Sequence, residues 1–191
     1  MKIKFITGNK NKYQEMRDII APIEVEQVDI DLAEIQSLDS QEIIRHKLRE
    51  ALNNPLLIND TFSSIIVEDT SLHLACLNND LPGPMIKWFL KTLNPQGIFE
   101  LCQKMGNAKA SGVTRIGYAH KDGTIEFFEG RNDGEIVFPI GDKDFGWGPI
   151  FKPNGSDKTY GQMDREEKFI ISMRAQAALK LKQYLINSQN N

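Results

Sequence analysis

Apolar positions near the start of the chain alternate between the spacing of a strand and that of a helix. Lys2 to Ile6 is a short apolar-rich run that predicts a strand. Apolar residues three or four positions apart then predict a helix to about Ile20. This helix should end before Pro22, because the residue before a proline is disfavoured in the helical region. Ile23 to Val28 predicts the next strand.

The following segment repeats the same order of strand and helix. Asp39 with Glu42 resembles a capping box, and it opens a predicted helix through Asn53. A further apolar run at 64–67 predicts a strand that ends in an acidic pair. The first third of the chain therefore predicts a β-α-β-α-β order.

The rest of the chain predicts helices and one long hairpin. Short helices are expected at 85–91 and 96–105, after the rigid turn 81–84. Extended runs at 110–120 and 124–137 are joined by Lys121-Asp122-Gly123, a strong hairpin signal. The last helix is predicted at 172–186, with these residues facing inward: Ala175, Ala178, Leu179, Leu185 and Ile186.

These elements favour one α/β domain over residues 1–186, built on a mixed sheet with flanking helices. No segment has the composition of a linker, and residues 187–191 form a polar tail that we expect to fray.

Charge and composition exclude several classes of protein. The net charge of −3 argues against a protein that binds duplex nucleic acid. The N-terminus is interrupted too soon for a signal peptide, and no apolar run approaches the roughly 18 residues of a membrane helix. Cys76 and Cys102 lack metal-binding spacing, which predicts reduced core thiols in a cytoplasmic protein.

The loop from Thr7 to Lys12 is the first candidate for chemistry. It lies between a strand and a helix, where a glycine lets the backbone approach an anion and the first helical N–H groups are free. Lysines add positive charge, although the Walker A pattern is missing. A polar turn of this kind is also common as a purely structural connection.

An acidic pair, Glu68-Asp69, is the second candidate. It is predicted to close an apolar strand, which is where α/β sheets place ligands, and Glu34 is a candidate partner. Carboxylate oxygens suit Mg²⁺, which is typically held by one or two carboxylates and substrate phosphates. The alternative is a solvated strand end.

Two further segments carry candidate ligand contacts. Aromatic residues in the glycine-rich loop 145–151 are suited to stacking a planar base, although the residues alone slightly favour a role in filling the core. Lys168, Ser172 and Arg174 lie near the start of the last helix. If this helix begins at Ser172, its first N–H groups are available to a ligand; if it begins at Asp164, a shared site is less favoured.

In this order, the motifs resemble the inosine triphosphatase (Ham1-like) family. The matching segments cover nearly the whole chain: Thr7 to Lys12, Val67 to Leu72, Leu81 to Pro84 with Lys87 to Phe89, Phe145 to Trp147 with Pro149 to Phe151, and Lys168 with Ser172 and Arg174. The resemblance implies an elongated, two-lobed fold with a deep cleft and a homodimer. It also implies Mg²⁺-dependent hydrolysis of a nucleoside triphosphate to the monophosphate and pyrophosphate, by water attacking the α-phosphate.

The resemblance implies a role for each matching residue. Phosphate binding is implied for Thr7, Asn9, Lys12 and Lys47. Mg²⁺ binding is implied for Glu34 and Asp69, and Glu68 and Asp69 are the candidates for orienting or deprotonating water. The base pocket would contain Phe145, Trp147, Lys87, Lys168, Ser172 and Arg174.

Two positions depart from the family pattern. Gly148 stands where the family pattern F-G-W-D-P has an aspartate, and Met173 stands where the pattern S-H-R has a histidine. Both losses fall where the family reads the base, which predicts intact triphosphate chemistry with altered base recognition. They also leave open the alternative that the chain is a binding protein, which senses or sequesters a nucleotide without hydrolysing it.

Overall fold

The computed structural model describes residues 2–58, 64–120 and 122–189. Its strands are β1 (Lys2–Ile6), β2 (Glu24–Val28), β3 (Ser64–Leu74), β4 (Pro82–Gly83), β5 (Lys109–Ala119), β6 (Ile125–Ile136) and β7 (Phe151–Pro153). Its α-helices are α1 (Lys10–Ile20), α2 (Ser40–Leu52), α3 (Pro55–Ile58), α4 (Ile86–Lys104), α5 (Arg165–Ile171) and α6 (Met173–Gln189). Short 3-10 turns occur at Ala75–Leu77, Gly148–Ile150 and Tyr160–Gln162.

The strands form a mixed sheet in the order β2-β1-β3-β5-β6-β7, with β4 beside β3. Strand β1 is parallel to β2 and β3, whereas β3 with β4 and β6 with β7 are antiparallel. Parallel neighbours need a crossover connection, which α1 supplies between β1 and β2. The predicted mixed α/β fold is confirmed.

The chain forms two compact units. The first unit comprises the described residues of Met1–Asp69, Thr114–Gly130 and Arg174–Asn191, and the second comprises those of Thr70–Val113 and Arg131–Met173. Strands β3, β5 and β6 each contribute residues to both units. The single domain and the deep cleft expected from the sequence stay predictions.

The core of the first unit is formed where α2 packs on the sheet. Ile44 and Leu48 are fully buried in a cluster with residues of β1, β3 and β5. A Cβ atom at Gly117 would lie 2.3 Å from Cγ2 of Ile44 and 2.8 Å from Cδ1 of Leu48. Glycine at this position therefore lets the helix approach the backbone of β5.

The core of the second unit gathers α4, β7 and the aromatic loop. Trp147, Phe151 and Tyr160 are buried in one cluster with Met173 and Ile98. The two helices predicted at 85–91 and 96–105 are the two halves of α4, because Asn94 has non-helical backbone angles at the junction. No α-helix in the described part of the chain is long and apolar enough to cross a membrane.

The strand predicted at 64–67 was confirmed, but its predicted C-terminal end was wrong. Strand β3 continues to Leu74, so that Glu68 and Asp69 lie within the strand and not at its end. Leu72 and Leu74 continue the alternation of a strand and are buried, and Leu72 pairs with Gly83 of β4. The intervening polar residues concealed this period-two pattern in the sequence.

The C-terminal helix is divided where the sequence left two alternatives. Helix α5 has Asp164 as its N-cap, and Ser172 adopts extended backbone angles between α5 and α6. The buried residues of α6 include Ala175, Ala177, Ala178, Leu181 and Leu185. Leu179 and Ile186 were predicted to face inward, but they are 50% and 38% exposed.

These two errors share a geometric cause. Leu179 and Ile186 each follow a buried residue by one position, which turns the side chain about 100° away from the buried face.

Two predicted segments reach beyond the described residues. The hairpin between β5 and β6 is confirmed by hydrogen bonds that join His120 to Thr124 and Gly123, while Lys121 lies outside the described residues. The polar tail was expected to fray from residue 187, but α6 extends to Gln189. Asn190 and Asn191 lie outside the described residues.

Both cysteines are reduced, and their Sγ atoms are 3.8 Å apart. Burial, with a contribution from Cys76, raises the pKa of the Cys102 thiol to about 12. Because the thiolate is the reactive form, we expect Cys102 to resist alkylation by iodoacetamide at pH 8 and to be labelled after unfolding in urea. Peptide mapping checks this, and equal labelling rates in native and unfolded protein would contradict it.

Candidate active site

The loop between β1 and α1 is held by its own side chains. The Asn9 side-chain oxygen accepts hydrogen bonds from the backbone N–H groups of Asn11 and Lys12, at 3.0 and 3.2 Å. Thr7 Oγ1 accepts from the N–H of Asn9 at 3.1 Å. The helix start was expected to offer free N–H groups, but two of them are capped by Asn9.

Gly8 lies close to the side chain of Asp29 in this loop. A Cβ atom at Gly8 would lie 2.8 Å from Oδ1 of Asp29. The glycine therefore lets the loop pass beside this carboxylate, in addition to the anion approach inferred from the sequence.

A buried charge network surrounds Glu68 of β3. Arg174 donates to both carboxylate oxygens of Glu68, from Nε to Oε2 at 3.0 Å and from Nη2 to Oε1 at 3.0 Å. Lys12 Nζ lies 3.2 Å from Glu68 Oε1, and Arg174 also pairs with Glu15 of α1. The Glu68 side chain is fully buried and that of Arg174 is 5% exposed.

The carboxylates of Glu68 and Glu15 stabilise the charged form of Arg174. Burial acts to lower the pKa of the guanidinium, but Glu68 and Glu15 outweigh it and raise the pKa above its usual range. A buried, bidentate arginine–carboxylate pair also fixes the orientation of both groups. The network therefore fixes the orientation of Glu68, and Asp69, the next residue of the strand, is also largely buried.

Glu34 and Lys47 form a second charged contact in the first unit. Lys47 of α2 donates to Oε1 of Glu34, and the Glu34 side chain is 49% exposed. The sequence resemblance implied a metal ligand at Glu34 and a phosphate ligand at Lys47, and the structure pairs these residues with each other. No group of three or more metal-ligating side chains occurs among residues 2–58, 64–120 and 122–189.

The second unit places an ion pair beside the aromatic loop. Lys168 Nζ lies 2.7 Å from Oδ1 of Asp144, and both side chains are 9% exposed. The same ammonium lies 5.8 Å from the ring centroid of Phe145 and 6.0 Å from that of Tyr160. Lys168 and Phe145, both predicted base-pocket residues, are thus brought together.

Asp144 and Tyr160 were missed in the sequence. Asp144 directly precedes the matched segment 145–147, but it lies outside the pattern F-G-W-D-P and carried no signal of its own. Tyr160 is fully buried, and a 3-10 turn that the sequence pattern did not predict places its ring near Lys168.

The remaining predicted base-pocket residues have contrasting environments. Trp147 is 7% exposed and packs edge-on against Phe151, with ring centroids 5.2 Å apart, as the core alternative predicted. Ser172 is buried, whereas Lys87 is exposed near the start of α4. Met173 is buried in the cluster that contains Trp147, so an apolar thioether occupies this position.

Comparison with solved structures defines the class of fold. The Staphylococcus aureus Ham1 protein superposes with a TM-score of 0.80 at 25% identity, covering 98% of this chain and 100% of that one. The sequence matches the model of the Ham1 family over residues 3–184. The chain therefore belongs to the Ham1 family, which confirms the resemblance drawn from its motifs.

Two curated relatives match over nearly their whole length. The inosine triphosphate pyrophosphatase of Schizosaccharomyces pombe is 36% identical, over 98% of this chain and 97% of that protein. The inosine triphosphate pyrophosphatase of Kluyveromyces lactis is also 36% identical, over 97% of this chain and 96% of that protein.

Proposed function

We propose that this protein is a cytoplasmic, Mg²⁺-dependent pyrophosphatase of non-canonical purine nucleoside triphosphates such as ITP, dITP and XTP. The names of its fungal relatives support this substrate class. The observation that carries the proposal is the buried network of Arg174, Glu68 and Lys12. Burying several charges is costly, and such clusters are concentrated at functional sites.

The triphosphate is assigned to groups of the first unit. Thr7 and Asn9 shape the loop before α1, and Lys12 adds a cation that is 20% exposed. Lys47 on α2 supplies another cation, which pairs with Glu34. These groups offset the charge of phosphate oxygens, the main requirement of phosphoryl transfer.

Glu34 and Asp69 are assigned to Mg²⁺. Their carboxylate oxygens are the hard donors that this ion prefers, and substrate phosphates and waters complete its coordination in most sites. When bound, Mg²⁺ would polarise the phosphate oxygens and neutralise their developing charge. Because Lys47 is paired with Glu34, we infer that Lys47 leaves this carboxylate to contact the incoming phosphates.

Water activation is assigned to Asp69, with Glu68 as a positioning residue. Both oxygens of Glu68 accept from Arg174, and Lys12 lies beside one of them. Such a carboxylate has little lone-pair capacity left for a water molecule. Asp69 follows it on β3 and is held in place by the same strand.

Base recognition is assigned to the second unit. Phe145, Lys168 and Ser172 supply an aromatic face, a cation and a hydroxyl, while Lys87 and Trp147 keep the roles that the resemblance implied. Met173 is a buried apolar side chain where the family pattern has a histidine. Apolar contacts discriminate far less than hydrogen bonds, so we propose a weaker preference for ITP and XTP over ordinary purine nucleotides than in the family.

A nucleotide panel tests this proposal against a sensor without turnover. Pyrophosphate release is measured with Mg²⁺ and with EDTA for ITP, XTP, dITP, ATP, GTP, CTP and UTP. Metal-dependent release from a purine nucleotide supports the enzyme, and its rank order measures base preference. Binding without release would favour the sensor, while a strong preference for ITP over ATP and GTP would contradict the relaxed specificity.

A homodimer is part of the proposal. Large apolar side chains are exposed on the second unit, including Trp88 at 56% and Phe138 at 58%. Exposed apolar surface of this kind is a common feature of protein interfaces. Sedimentation velocity gives the mass in solution, and a single species of 21.7 kDa would contradict the dimer.

A further inference from the structure

Asn132 of β6 joins two parts of the second unit through one side-chain nitrogen. Its Nδ2 donates to the hydroxyl oxygen of Tyr160 at 2.5 Å and to the backbone carbonyl of Ile171 at 2.6 Å. A side-chain amide nitrogen carries two N–H donors, so each of these acceptors can receive one of them. The amide of Asn132 therefore links the 3-10 turn that carries Tyr160 to the end of α5.

The contact with Ile171 is made where α5 ends. The last backbone carbonyls of a helix have no partner within the helix and are satisfied by groups outside it. Ile171 is the last residue of α5, and the N–H of Ser172 donates to the carbonyl of Lys168 at 2.8 Å. Ser172 then adopts extended backbone angles before α6 begins. Asn132 thus holds the point at which the chain leaves α5.

The contact with Tyr160 reaches the surroundings of Lys168 from another direction. The Tyr160 ring is fully buried, and its centroid lies 6.0 Å from Lys168 Nζ and 5.4 Å from the ring centroid of Phe151. A cation at this distance is attracted by the face of an aromatic ring. Lys168 itself belongs to α5. Asn132 therefore fixes the surroundings of this lysine from two sides, through the aromatic ring and through the end of the helix.

The residues on either side of Asn132 in β6 contact a different part of the protein. Arg131 Nη2 donates to Ser111 Oγ at 2.7 Å, and Ser111 Oγ donates to Asp133 Oδ1 at 2.7 Å. Successive side chains of a strand point to opposite faces of the sheet, so the side chain of Asn132 lies on the other face from these two. A change at position 132 thus acts on the α5 side and leaves the contacts of Ser111 in place.

We propose that Asn132 is a positioning residue for nucleotide binding, which holds Lys168 and Ser172 in the places that bind the base. The inference rests on the proposed function, in which the second unit recognises the base, and it adds a residue that acts through its neighbours. Loss of Asn132 should weaken binding in the ground state and the transition state alike, which raises KM and leaves kcat almost unchanged. A purely structural role has the opposite effect, because a smaller folded fraction lowers the apparent kcat at an unchanged KM.

Three substitutions separate the two contacts. Asn132→Ala removes both donors. Asn132→Asp keeps the size of the side chain and can accept from the Tyr160 hydroxyl, but it cannot donate to the Ile171 carbonyl. Tyr160→Phe keeps the ring and removes only the hydroxyl. The control is Asn154→Asp, the same change at an exposed asparagine of the same unit.

The readouts are kcat and KM for ITP, together with the melting temperature without nucleotide. We expect Asn132→Ala and Asn132→Asp to raise KM by about 10- to 100-fold, with kcat within about threefold of wild type, since displacing a binding group by about 1 Å can cost about 10²-fold. Tyr160→Phe should raise KM less, because the contact with the end of α5 remains. Adding Tyr160→Phe to Asn132→Ala should have little further effect, since contacting residues are not additive. Asn154→Asp should match wild type.

Two results would overturn the inference. One is an unchanged KM in the Asn132 variants; the other is a fall in kcat and melting temperature at the wild-type KM, which would show a structural role only. If Asn132→Ala does not fold, the same two patterns are read from Asn132→Asp and Tyr160→Phe.

Calorimetry with ITP distinguishes failure of the inference from failure of the proposed function. If wild-type protein binds ITP without hydrolysing it, the proposed function fails by itself, and the dissociation constant for ITP replaces KM in the same comparison. A higher dissociation constant in the Asn132 variants then supports the inference, and an unchanged one overturns it. If wild-type protein does not bind ITP, the inference fails together with the proposed function.

Discussion

Replacing Asp69 by asparagine is expected to lower kcat for pyrophosphate release by about 10³-fold or more. The asparagine has nearly the same shape but carries no charge. It therefore cannot hold Mg²⁺ as a carboxylate does, and it cannot accept a proton from the attacking water. Asp69 is largely buried on β3, where the matched size should keep the fold intact. Steady-state kinetics with ITP and the melting temperature measure the two effects.

The control for Asp69→Asn is the same change at an exposed carboxylate, Asp157→Asn, which should retain wild-type activity. Activity of Asp69→Asn within about tenfold of wild type would remove Asp69 from the mechanism. A large fall in melting temperature would instead assign this residue to the fold.

Replacing Arg174 by alanine is expected to destabilise the protein by about 3–5 kcal/mol. The change leaves Glu68 and Glu15 without the guanidinium that pairs with both, and Glu68 is fully buried. Since domains of this size are stable by about 5–15 kcal/mol, the loss should be evident in urea denaturation. Activity should fall as well, because Glu68 is no longer fixed.

Two variants separate charge from geometry at Arg174. Arg174→Lys keeps the charge but cannot bind both oxygens of Glu68 in a fork, so it should recover only part of the stability. Arg174→Met with Glu68→Gln removes the fully buried unpaired carboxylate, that of Glu68, and should be more stable than Arg174→Ala. A destabilisation below about 1 kcal/mol in Arg174→Ala would contradict the buried network.

Local patterns predicted most of the elements of the fold. Helix α1, for example, has apolar residues at helical spacing and begins after Asn9, whose capping hydrogen bonds are local. Strand β3 was cut short because Thr70, Ser71 and His73 interrupt its apolar run, although Leu72 and Leu74 preserve the alternation. The inward face of α6 was misjudged because apolar residues also occur on its exposed side.

The site was predicted in part, because motifs identify residues but not their partners. The sequence singled out Glu68, Lys12 and Arg174, but Arg174 lies 106 positions from Glu68 in the chain and its pairing follows from the tertiary fold. Asp144 was missed for a related reason. Gly148 shows in the sequence only that a side chain is missing. It does not show that the carboxylate of Asp144, four positions earlier, lies where that side chain would be.

The products of ITP hydrolysis in H₂¹⁸O test the central assignment most directly. If water attacks the α-phosphate, the enzyme should convert ITP to equal amounts of IMP and pyrophosphate in the presence of Mg²⁺. The ¹⁸O atom should then be found in the phosphate of IMP and not in pyrophosphate. Formation of IDP and orthophosphate, or ¹⁸O in pyrophosphate, would contradict the assignment of this Ham1 protein as a pyrophosphatase of this mechanism.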